Sequence, residues 1–435
     1  MLLYELQEAL NLNWWGAMSE SSIKCRVCDS ALQQVWNLGK IANCGYFPDT
    51  AEMNVKRWNL NLARCVSCAL YQLDQEFPLE EMYGDFYGYS TSLNRSMKEH
   101  VEEIAREITK NFISKKSKLY RHLDIGSNDG TLLMQIKEGV NELLGNEENK
   151  IHSFVGVDPS ASKYESDYIE NGLTLKKNFF CKELFNYERF DSITSIAMFY
   201  DVPRPISFAQ DIRELLSEEG IWISEQSYLP RMVENRAFDT ICHEHAEYYT
   251  LNDIKNICNE SGLRIIHVSF NETNGGSFRF YACRNEANYV TQDSVYSALK
   301  GENLLDLSMR IKSLKQEVEA IRRQVREFLD YCAENDYVVH GLGASTKGNT
   351  LLQYFGINST DIDCIAEVNP EKFGRKTPGT SIQIVSEKIS EEMKPDFYFV
   401  LPWHFKEFFL QKYQSQLAKG MIKLVFPLPK FEIIG

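Results

Sequence analysis

The chain has 435 residues, 43% of them hydrophobic and 12% aromatic, which is the composition of packed globular domains and too many residues for one ordinary core. Its formal net charge of −14 argues against a general affinity for nucleic acid or for an anionic membrane, because both need clustered Lys and Arg. The sequence has no apolar run of membrane-spanning length and no basic signal-peptide start, so it predicts a cytoplasmic protein with no membrane partner.

The first 80 residues divide into an extension and a cysteine-containing domain. Residues 1–22 are predicted to be an N-terminal extension, in which Met18 offers an alternative start and residues 1–17 are an upstream extension or a loosely ordered amphipathic helix. Residues 23–80 are short extended pieces between turns and carry two Cys-x2-Cys pairs. Two such pairs predict a closed tetrahedral site for a structural zinc, with disulfide pairing as the alternative. The predicted ligands are Cys25, Cys28, Cys65 and Cys68.

Residues 81–293 alternate between helical and extended patterns. A helix is indicated by Val101, Ile104, Ile108 and Phe112, which recur at helical spacing. Strand-like runs follow at 120–125, 151–157, 190–197, 219–224, 264–270 and 277–283. This alternation predicts an α/β fold, a doubly wound Rossmann-like sheet with an antiparallel end.

The first of these strands leads into a glycine-framed turn, HLDIGSNDGTLL at 122–133. A dinucleotide turn would read GxGxxG, and an acid inside the loop would repel a diphosphate. The spacing Asp-x-Gly-x-x-x-Gly instead suits S-adenosylmethionine, whose zwitterionic amino-acid end meets turn amides and an acidic side chain. The residues predicted to bind the cofactor here are Asp124, Gly126, Ser127, Asn128, Asp129 and Gly130.

Later strand ends add further candidates for the same cofactor. Asp158 follows the second strand, where an acid can accept both ribose hydroxyls. Asn178 and Phe179 follow the third strand and are predicted to flank the adenine, and Met198 follows the fourth. Because Asp158 stands at the end of the next strand, a cofactor-binding role for the glycine turn is favoured over the alternative of a turn that binds no ligand.

The densest group of titratable residues is Cys242, His243, Glu244 and His245, after the fifth strand. A histidine oriented by an adjacent carboxylate is a standard general base. Two alternatives remain open from the residues alone. The two histidines share a metal, although no third ligand is evident nearby, or one imidazole caps the helix at 251–261.

The last 140 residues hold a long helix and a second α/β series. Residues 294–335 carry a heptad stripe that fits a dimer coiled coil or a helix packed between two domains, and packing is favoured. Residues 336–435 then predict a second Rossmann-like domain, which is assigned to substrate binding. Lys347, at a predicted helix start, is a candidate for meeting a diphosphate, and Arg279 and Arg375 are candidates for local positive charge.

Taken together, the motifs resemble the sugar C-methyltransferases that act on nucleotide-linked 4-keto-deoxyhexoses and carry a zinc-binding N-terminal domain. The resemblance covers nearly the whole chain after residue 22. It is carried by CRVC at 25–28, CVSC at 65–68, FYGYSTS at 86–92, LDIGSNDG at 123–130, HEH at 243–245, NGGSFR at 274–279, GASTKGNTLLQYFGI at 343–357, EVNPEKFGRKTPGT at 367–380 and LPWHF at 401–405.

The resemblance implies a reaction and a set of residues. His245 is implied to be the base, with Glu244 beside it and Tyr87 or Tyr89 near the sugar, so that an enolate forms and its carbon takes the methyl group. The implied substrate-binding residues are Ser90, Asp201, Cys242, Gly275, Gly276, Ser277, Arg279, Lys347, Asn349, Glu367, Asn369 and Arg375.

Two positions depart from the family pattern, which commonly has tyrosine where this chain has Cys242 and often histidine near Asp201. The lost phenol leaves oxygen methylation open as an alternative to carbon methylation. A third hypothesis is a zinc-stabilised binding protein whose methyltransferase domain is vestigial. The expected partner is a small-molecule nucleotide sugar, and the expected assembly is a monomer or a homodimer.

Overall fold

A computed structural model describes residues 23–50, 55–84, 87–113, 119–144 and 152–435. The predicted extension at 1–22, including Met18, lies outside the described residues. None of the helices within the described ranges is long and apolar enough to cross a membrane.

The strands and helices are numbered in chain order. The strands are β1 (Leu32–Ala42), β2 (Arg57–Cys65), β3 (Tyr71–Leu73), β4 (Arg121–Ile125), β5 (Ser153–Val157), β6 (Thr174–Lys176), β7 (Phe190–Ile196), β8 (Leu216–Ser227), β9 (Glu247–Tyr248), β10 (Leu263–Asn271), β11 (Ser277–Arg284), β12 (Val339–Leu342), β13 (Cys364–Glu367), β14 (Gln383–Ser386), β15 (Phe397–Val400), β16 (Lys423–Phe426) and β17 (Glu432–Ile434). The α-helices are α1 (Arg95–Phe112), α2 (Thr131–Leu144), α3 (Glu165–Glu170), α4 (Pro205–Leu215), α5 (Leu229–Glu234), α6 (Leu251–Glu260), α7 (Asp293–Glu302), α8 (Leu307–Glu334), α9 (Thr346–Phe355), α10 (Glu387–Glu392), α11 (Lys406–Lys412) and α12 (Gln414–Ala418).

A small antiparallel sheet, in the order β1-β2-β3-β9, forms the N-terminal part. The first cysteine turn precedes β1, and the second joins β2 to β3. Its fourth strand, β9, comes from far along the chain, only two residues after His245. The cysteine-containing sheet is therefore built directly onto the segment that carries the candidate base.

The central sheet has the order β10-β11-β8-β7-β4-β5-β6 and confirms the predicted α/β fold. Strands β6, β5, β4, β7 and β8 are parallel, and β11 and β10 add the antiparallel end. Helix α1 lies on one side of the sheet and buries Val101, Ile104 and Ile108. Asn94 caps its N-terminus, because the Asn94 side chain accepts the Ser96 and Met97 amides. The carboxyl end of β4, where the winding direction reverses, is the position at which open α/β sheets bind ligands.

The C-terminal sheet has the order β14-β13-β12-β15-β16-β17, parallel except for β17. It is the second Rossmann-like sheet expected from the sequence. Its own reversal point lies at β12, between β13 and β15, and the turn after β12 leads into α9, whose cap Ser345 accepts the Gly348 amide. Both reversal points face the same cavity, described below.

The predicted long helix over 294–335 is divided into α7 and α8. The break at 303–306 ends at Asp306, whose carboxylate caps α8 by accepting the Met309 amide, while Glu302 turns inward to accept the Leu251 and Asn252 amides. The heptad stripe of α8 is buried in one core with β1 and the C-terminal sheet. Intrachain packing thus accounts for the stripe, which consists of Ile311, Leu314, Val318, Ile321, Val325 and Phe328.

Candidate active site

The four predicted zinc ligands lie together, with all four sulfur atoms within 4.8 Å of one another. Cys25 Sγ is 3.5 Å from Cys68 Sγ, and Cys28 Sγ is 3.3 Å from Cys65 Sγ. A zinc ion with four bonds of about 2.3 Å needs sulfur separations of about 3.8 Å, close to those found. Four thiolates fill a tetrahedral shell, so the cluster fits a structural zinc ion with no open position.

A cavity of about 540 Å³ lies where the central and C-terminal sheets face each other. The turn after β4, the segment 87–97, the turn 242–245 and the turn after β12 all contribute to its wall. The sequence predictions at widely separated positions therefore converge on one space.

The turn after β4 adopts the predicted glycine geometry. Gly126 and Gly130 have φ angles of +73° and +76°, and a Cβ on Gly126 would lie 3.0 Å from Met198 Cγ. Asp124 receives a 2.6 Å hydrogen bond from the Thr194 hydroxyl, and burial raises the pKa of its carboxyl to about 7. Asp124, Gly126, Ser127 and Asn128 line the cavity.

The side chains of Asn128 and Asp129 form hydrogen bonds that hold the segment 89–92 against this turn. The Asn128 side chain donates to the Tyr89 carbonyl at 3.1 Å and accepts the Thr91 amide at 3.2 Å. Asp129 accepts the Ser90 hydroxyl at 2.7 Å and the Ser92 amide at 2.8 Å. Although burial opposes its charge, these hydrogen bonds hold the pKa of Asp129 below its usual value. The two residues close one side of the cavity, and Ser90 and Tyr89 line it.

The remaining cofactor candidates sit around the same end of the sheet. Asp158 lines the cavity, accepts the Asn128 amide at 2.9 Å on Oδ2 and accepts the Ser160 amide at 2.7 Å on Oδ1. Phe179 and Met198 also line the cavity. Asn178 is half-buried and is not among the lining residues.

The four residues of the reactive turn separate into two groups. Cys242, Glu244 and His245 line the cavity, whereas His243 points into an aromatic niche, 5.5 Å from the Trp58 ring and 4.8 Å from the Phe77 ring, centroid to centroid. Neither histidine caps α6, because Thr250 and Asp253 form a capping box there. The helix-capping alternative for these imidazoles is therefore wrong.

His245 is oriented by a backbone carbonyl rather than by the adjacent carboxylate. Its Nδ1 donates to the Thr240 carbonyl at 2.7 Å, which leaves Nε2 with a free lone pair. Burial, together with the positive charge of Lys347, lowers the pKa of His245 to about 3, so the imidazole is neutral. The Tyr200 ring lies 4.3 Å away, centroid to centroid.

Glu244 and Asp201 form an acidic wall beside this imidazole. Burial raises the pKa of Glu244 to about 7, while a hydrogen bond with Thr346 and the charge of Lys372 act in the opposite direction. Burial also raises the pKa of Asp201 well above its usual range, although a hydrogen bond with Tyr83 opposes the shift. Both carboxyl groups line the cavity together with Tyr83 and Tyr87.

Positive charge enters the cavity from the C-terminal domain. Lys347 donates to the Asn274 carbonyl at 2.9 Å, and Lys372 donates to the Ala344 carbonyl at 2.8 Å. Burial lowers the pKa of both ammonium groups. Glu367 accepts the Ala344 amide at 2.7 Å, and Asn369 donates to the Gly88 carbonyl at 3.0 Å, so both hold the facing turns in place and also line the cavity.

Several predicted substrate contacts lie outside the cavity wall. Arg279 forms buried ion pairs with Glu225 and Glu107, and Arg375 contacts the Phe47 carbonyl and Asp49. Asn349 donates to the Cys44 carbonyl at 2.7 Å. Packing or backbone contacts, with Trp403, Arg231 and Thr273 respectively, account for Gly275, Gly276 and Ser277.

The cavity wall also contains residues that the sequence did not single out. Lys372, Tyr83, Tyr200 and His404 all line it. Lys372 and His404 lie within the quoted motifs EVNPEKFGRKTPGT and LPWHF, and Tyr200 directly precedes Asp201. Motif membership was thus a usable signal for Lys372 and His404, and adjacency to Asp201 was one for Tyr200, whereas Tyr83 carries none.

Family comparisons bear on the same three parts of the chain. A model for a zinc-binding domain matches residues 25–83, a methyltransferase domain model matches 97–268, and a model for the C-methyltransferase C-terminal domain matches 272–429. The chain thus combines matches to a zinc-binding domain, a methyltransferase domain and a C-methyltransferase C-terminal domain. The matched ranges follow the three sheets except at two strands, since β9 lies in the methyltransferase match and β11 in the C-terminal match.

One curated relative and two solved structures illustrate the likeness. C-methyltransferase NovU of Streptomyces niveus is 26% identical over 239 residues, which cover 54% of this chain and 57% of that protein. An S-adenosylmethionine-dependent methyltransferase from Clostridium acetobutylicum ATCC 824 is 13% identical, with a TM-score of 0.32, and the match covers 42% of this chain and 90% of that one. The mitomycin 7-O-methyltransferase MmcR is 10% identical, with a TM-score of 0.33, over 43% of this chain and 54% of that one. The likeness to C-methyltransferases rests on the domain models and on NovU.

Proposed function

We propose that this protein transfers a methyl group from S-adenosylmethionine to a carbon atom of a nucleotide-activated keto-deoxysugar. The observation that carries the proposal is the shared cavity. It joins a methyltransferase-type turn after β4 to a neutral imidazole and to two buried lysines from the second Rossmann-like domain. A cofactor site, a base and an anion site thus open into the same space.

The cofactor is assigned to the end of β4. Asp158 Oδ1 accepts both the Ser160 amide and the Ser160 hydroxyl, so Oδ2, which accepts the Asn128 amide, is the atom that keeps a lone pair for a ribose hydroxyl. Phe179 and Met198 offer apolar surface for the adenine. The amino-acid end is assigned to the Asp124 carboxyl, because the amides of Gly126, Asn128 and Gly130 already donate to protein oxygens. Bound here, S-adenosylmethionine would supply an electrophilic methyl group.

The nucleotide diphosphate is assigned to the C-terminal wall. Lys347 lies in the first turn of α9. Lys372 follows β13 and donates to the Ala344 carbonyl, just before α9, so both lysines line the cavity near the N-terminus of that helix. Burial disfavours both ammonium charges. Lys372 already has the Glu367 carboxylate at 4.0 Å, and a diphosphate would compensate the positive charge that remains. The local positive charge that the sequence analysis expected from Arg279 and Arg375 is thus assigned to these two lysines.

The base is assigned to His245. Its Nε2 is free because Nδ1 is held by Thr240, and a neutral imidazole accepts a proton from the acidic carbon next to a ketone. Burial is the main cause of the low His245 pKa, and a bound diphosphate would offset the second cause, the charge of Lys347. The Glu244 carboxylate then stabilises the imidazolium formed by proton abstraction.

The enolate oxygen is assigned to the wall formed by Tyr83, Tyr87 and Asp201. A carboxylic acid kept neutral by burial can donate a hydrogen bond to an oxyanion, as phenols do. The Asp201 pKa is raised and its Oδ1 has no hydrogen-bond partner within the described chain, so this acid is available as a donor. Asp201 would donate the hydrogen bond that a tyrosine in place of Cys242 would otherwise supply.

Substitution of Asp158 tests the cofactor site. Asp158→Ala should raise the dissociation constant of S-adenosylhomocysteine about 10- to 100-fold, because a hydrogen bond to a charged group contributes about 1.5–3 kcal/mol. Calorimetric titration measures the change. Asp167→Ala, on the exposed face of α3, is the matched control and should bind normally. Equal affinity in both variants, with unchanged thermal unfolding, would contradict the cofactor site.

The reaction itself is tested with dTDP-, GDP- and CDP-4-keto-deoxyhexoses. The product should be one methyl group heavier, with the new methyl bonded to carbon in proton–carbon correlation spectra. Deuterium on the carbon next to the ketone should be lost, and its retention would rule out an enolate. His245→Gln should lower turnover about 10²- to 10⁴-fold with cofactor affinity nearly intact. A methyl group bonded to oxygen would instead favour the O-methyltransferase alternative, in which His245 deprotonates a hydroxyl.

The pH dependence tests the role of Glu244. Because the pKa of Glu244 is raised to about 7, its carboxylate is present above that pH and is lost as the pH falls through it. Turnover should therefore decrease below about pH 7 in the native protein. The Glu244→Gln variant should turn over more slowly at pH 8, and its turnover should not decrease as the pH falls below about 7. The same decrease in the variant as in the native protein would show that another group controls it.

A further inference from the structure

Three different metal-binding side chains meet on the cavity wall. The sulfur of Cys242, a carboxylate oxygen of Glu244 and a ring nitrogen of His245 lie within 4.8 Å of one another. The sequence suggested His243 and His245 as a pair without a third ligand. His243 points away, and Cys242 and Glu244 complete the group instead.

The group is deeply buried and incompletely satisfied. Cys242, Glu244 and His245 are 0%, 7% and 8% exposed. Glu244 Oε1 has no hydrogen-bond partner among the described residues, although it is removed from water. A buried carboxylate oxygen without a partner is costly, and a cation is one group that would satisfy it.

The surrounding contacts are those that orient metal ligands. Metal-bound histidines usually donate their other ring nitrogen to a carbonyl or carboxylate, as His245 Nδ1 does to the Thr240 carbonyl at 2.7 Å. Glu244 is likewise held by a side-chain hydrogen bond with Thr346. The free Nε2 and the unpartnered Oε1 are thus left as the available donor atoms.

The charges around the group have both signs. Burial raises the pKa of Cys242, and the charges of Glu244 and Asp201 act in the same direction, while Lys347 acts on His245 and Lys372 acts on Glu244. The lysines oppose a cation, so hard ions held only by charge are disfavoured. A thiolate, an imidazole and one carboxylate instead match the ligands of zinc and similar ions, and Mg²⁺ prefers oxygen.

We propose that Cys242, Glu244 and His245 bind a thiophilic divalent cation such as Zn²⁺, and that the bound cation blocks methyl transfer. Binding replaces the Cys242 S–H bond with a metal–sulfur bond and releases the proton to solvent. The cation also takes the Nε2 lone pair of His245. The blocking half rests on the proposed function, in which that lone pair removes the substrate proton. The binding half stands without it.

Binding is tested by titrating Co²⁺ into the full chain with its four-cysteine site already filled with zinc. The native protein should take up one further ion per chain and develop sulfur-to-cobalt charge-transfer absorption. Cys242→Ser should lose this absorption and weaken binding more than the ~10- to 100-fold typical of changes in residues that only orient a ligand. Cys258→Ser, at a buried thiol outside the group, is the control and should retain both signals.

His245→Gln provides a second variant in case Cys242→Ser unfolds, and circular dichroism checks both. Equal stoichiometry and affinity in the native protein and in a folded variant would overturn the site, as would equal binding of Mg²⁺. In the methyl-transfer assay, Zn²⁺ should inhibit at the concentrations at which it binds, and a chelator should restore the rate. Binding without inhibition would overturn the blocking half. Cobalt binding in a protein that methylates none of the tested sugars would refute the proposed function and leave the metal site standing.

Discussion

The Arg26 guanidinium lies in the turn between Cys25 and Cys28 and reaches Glu247, with 3.4 Å between Arg26 Nε and Glu247 Oε1. Both side chains are almost fully buried, at 3% and 0% exposure. Arg26 also donates to the Leu73 carbonyl at 2.7 Å and to the Gln75 carbonyl at 2.8 Å. Removing one partner of such a buried pair typically costs about 3–5 kcal/mol, because the other charge is left uncompensated.

This contact links the cysteine cluster to the chemistry. Glu247 begins β9, which pairs with β3, and His245 stands two residues earlier. On the other side of the turn, Asp239 accepts the Trp403 indole at 2.8 Å. The turn that carries the candidate base is therefore held between the N-terminal and C-terminal sheets. A zinc ion that orders the first cysteine turn would act on the position of His245 through Arg26, without touching the cavity.

The regular elements were predictable from the sequence because local patterns determine them. The strand from 121 to 125, the helix that begins at Thr131 and the parallel series after 337 all follow from apolar runs, glycines and caps. Apolar spacing alone did not reveal the interruption of the long helix at 303–306. That break depends on Glu302 turning inward to the start of α6, a contact distant in sequence.

The candidate site residues also divide into those that local motifs predict and those that depend on tertiary contacts. Gly126, Asp158 and the cysteine pairs were identifiable because each follows from a short motif with a local geometry. The directions of the Arg279, Lys372 and Tyr83 side chains were not, because they depend on tertiary contacts, even where a motif pointed to the residue, as it did for Lys372. Arg279 pairs with the buried Glu225 and the partly exposed Glu107, whereas Lys372 reaches the cavity. Motifs thus identified the turns, and tertiary packing decided which side chains face the ligand.

The central claim is that one cavity holds the cofactor at the end of β4 and a nucleotide diphosphate at the C-terminal wall. The most direct measurement is a crystal structure of the protein with S-adenosylhomocysteine and a nucleotide diphosphate such as dTDP. The ribose of the cofactor should lie on Asp158, and the diphosphate should lie against Lys347 and Lys372. A diphosphate bound outside this cavity, or a cofactor away from the turn after β4, would contradict it.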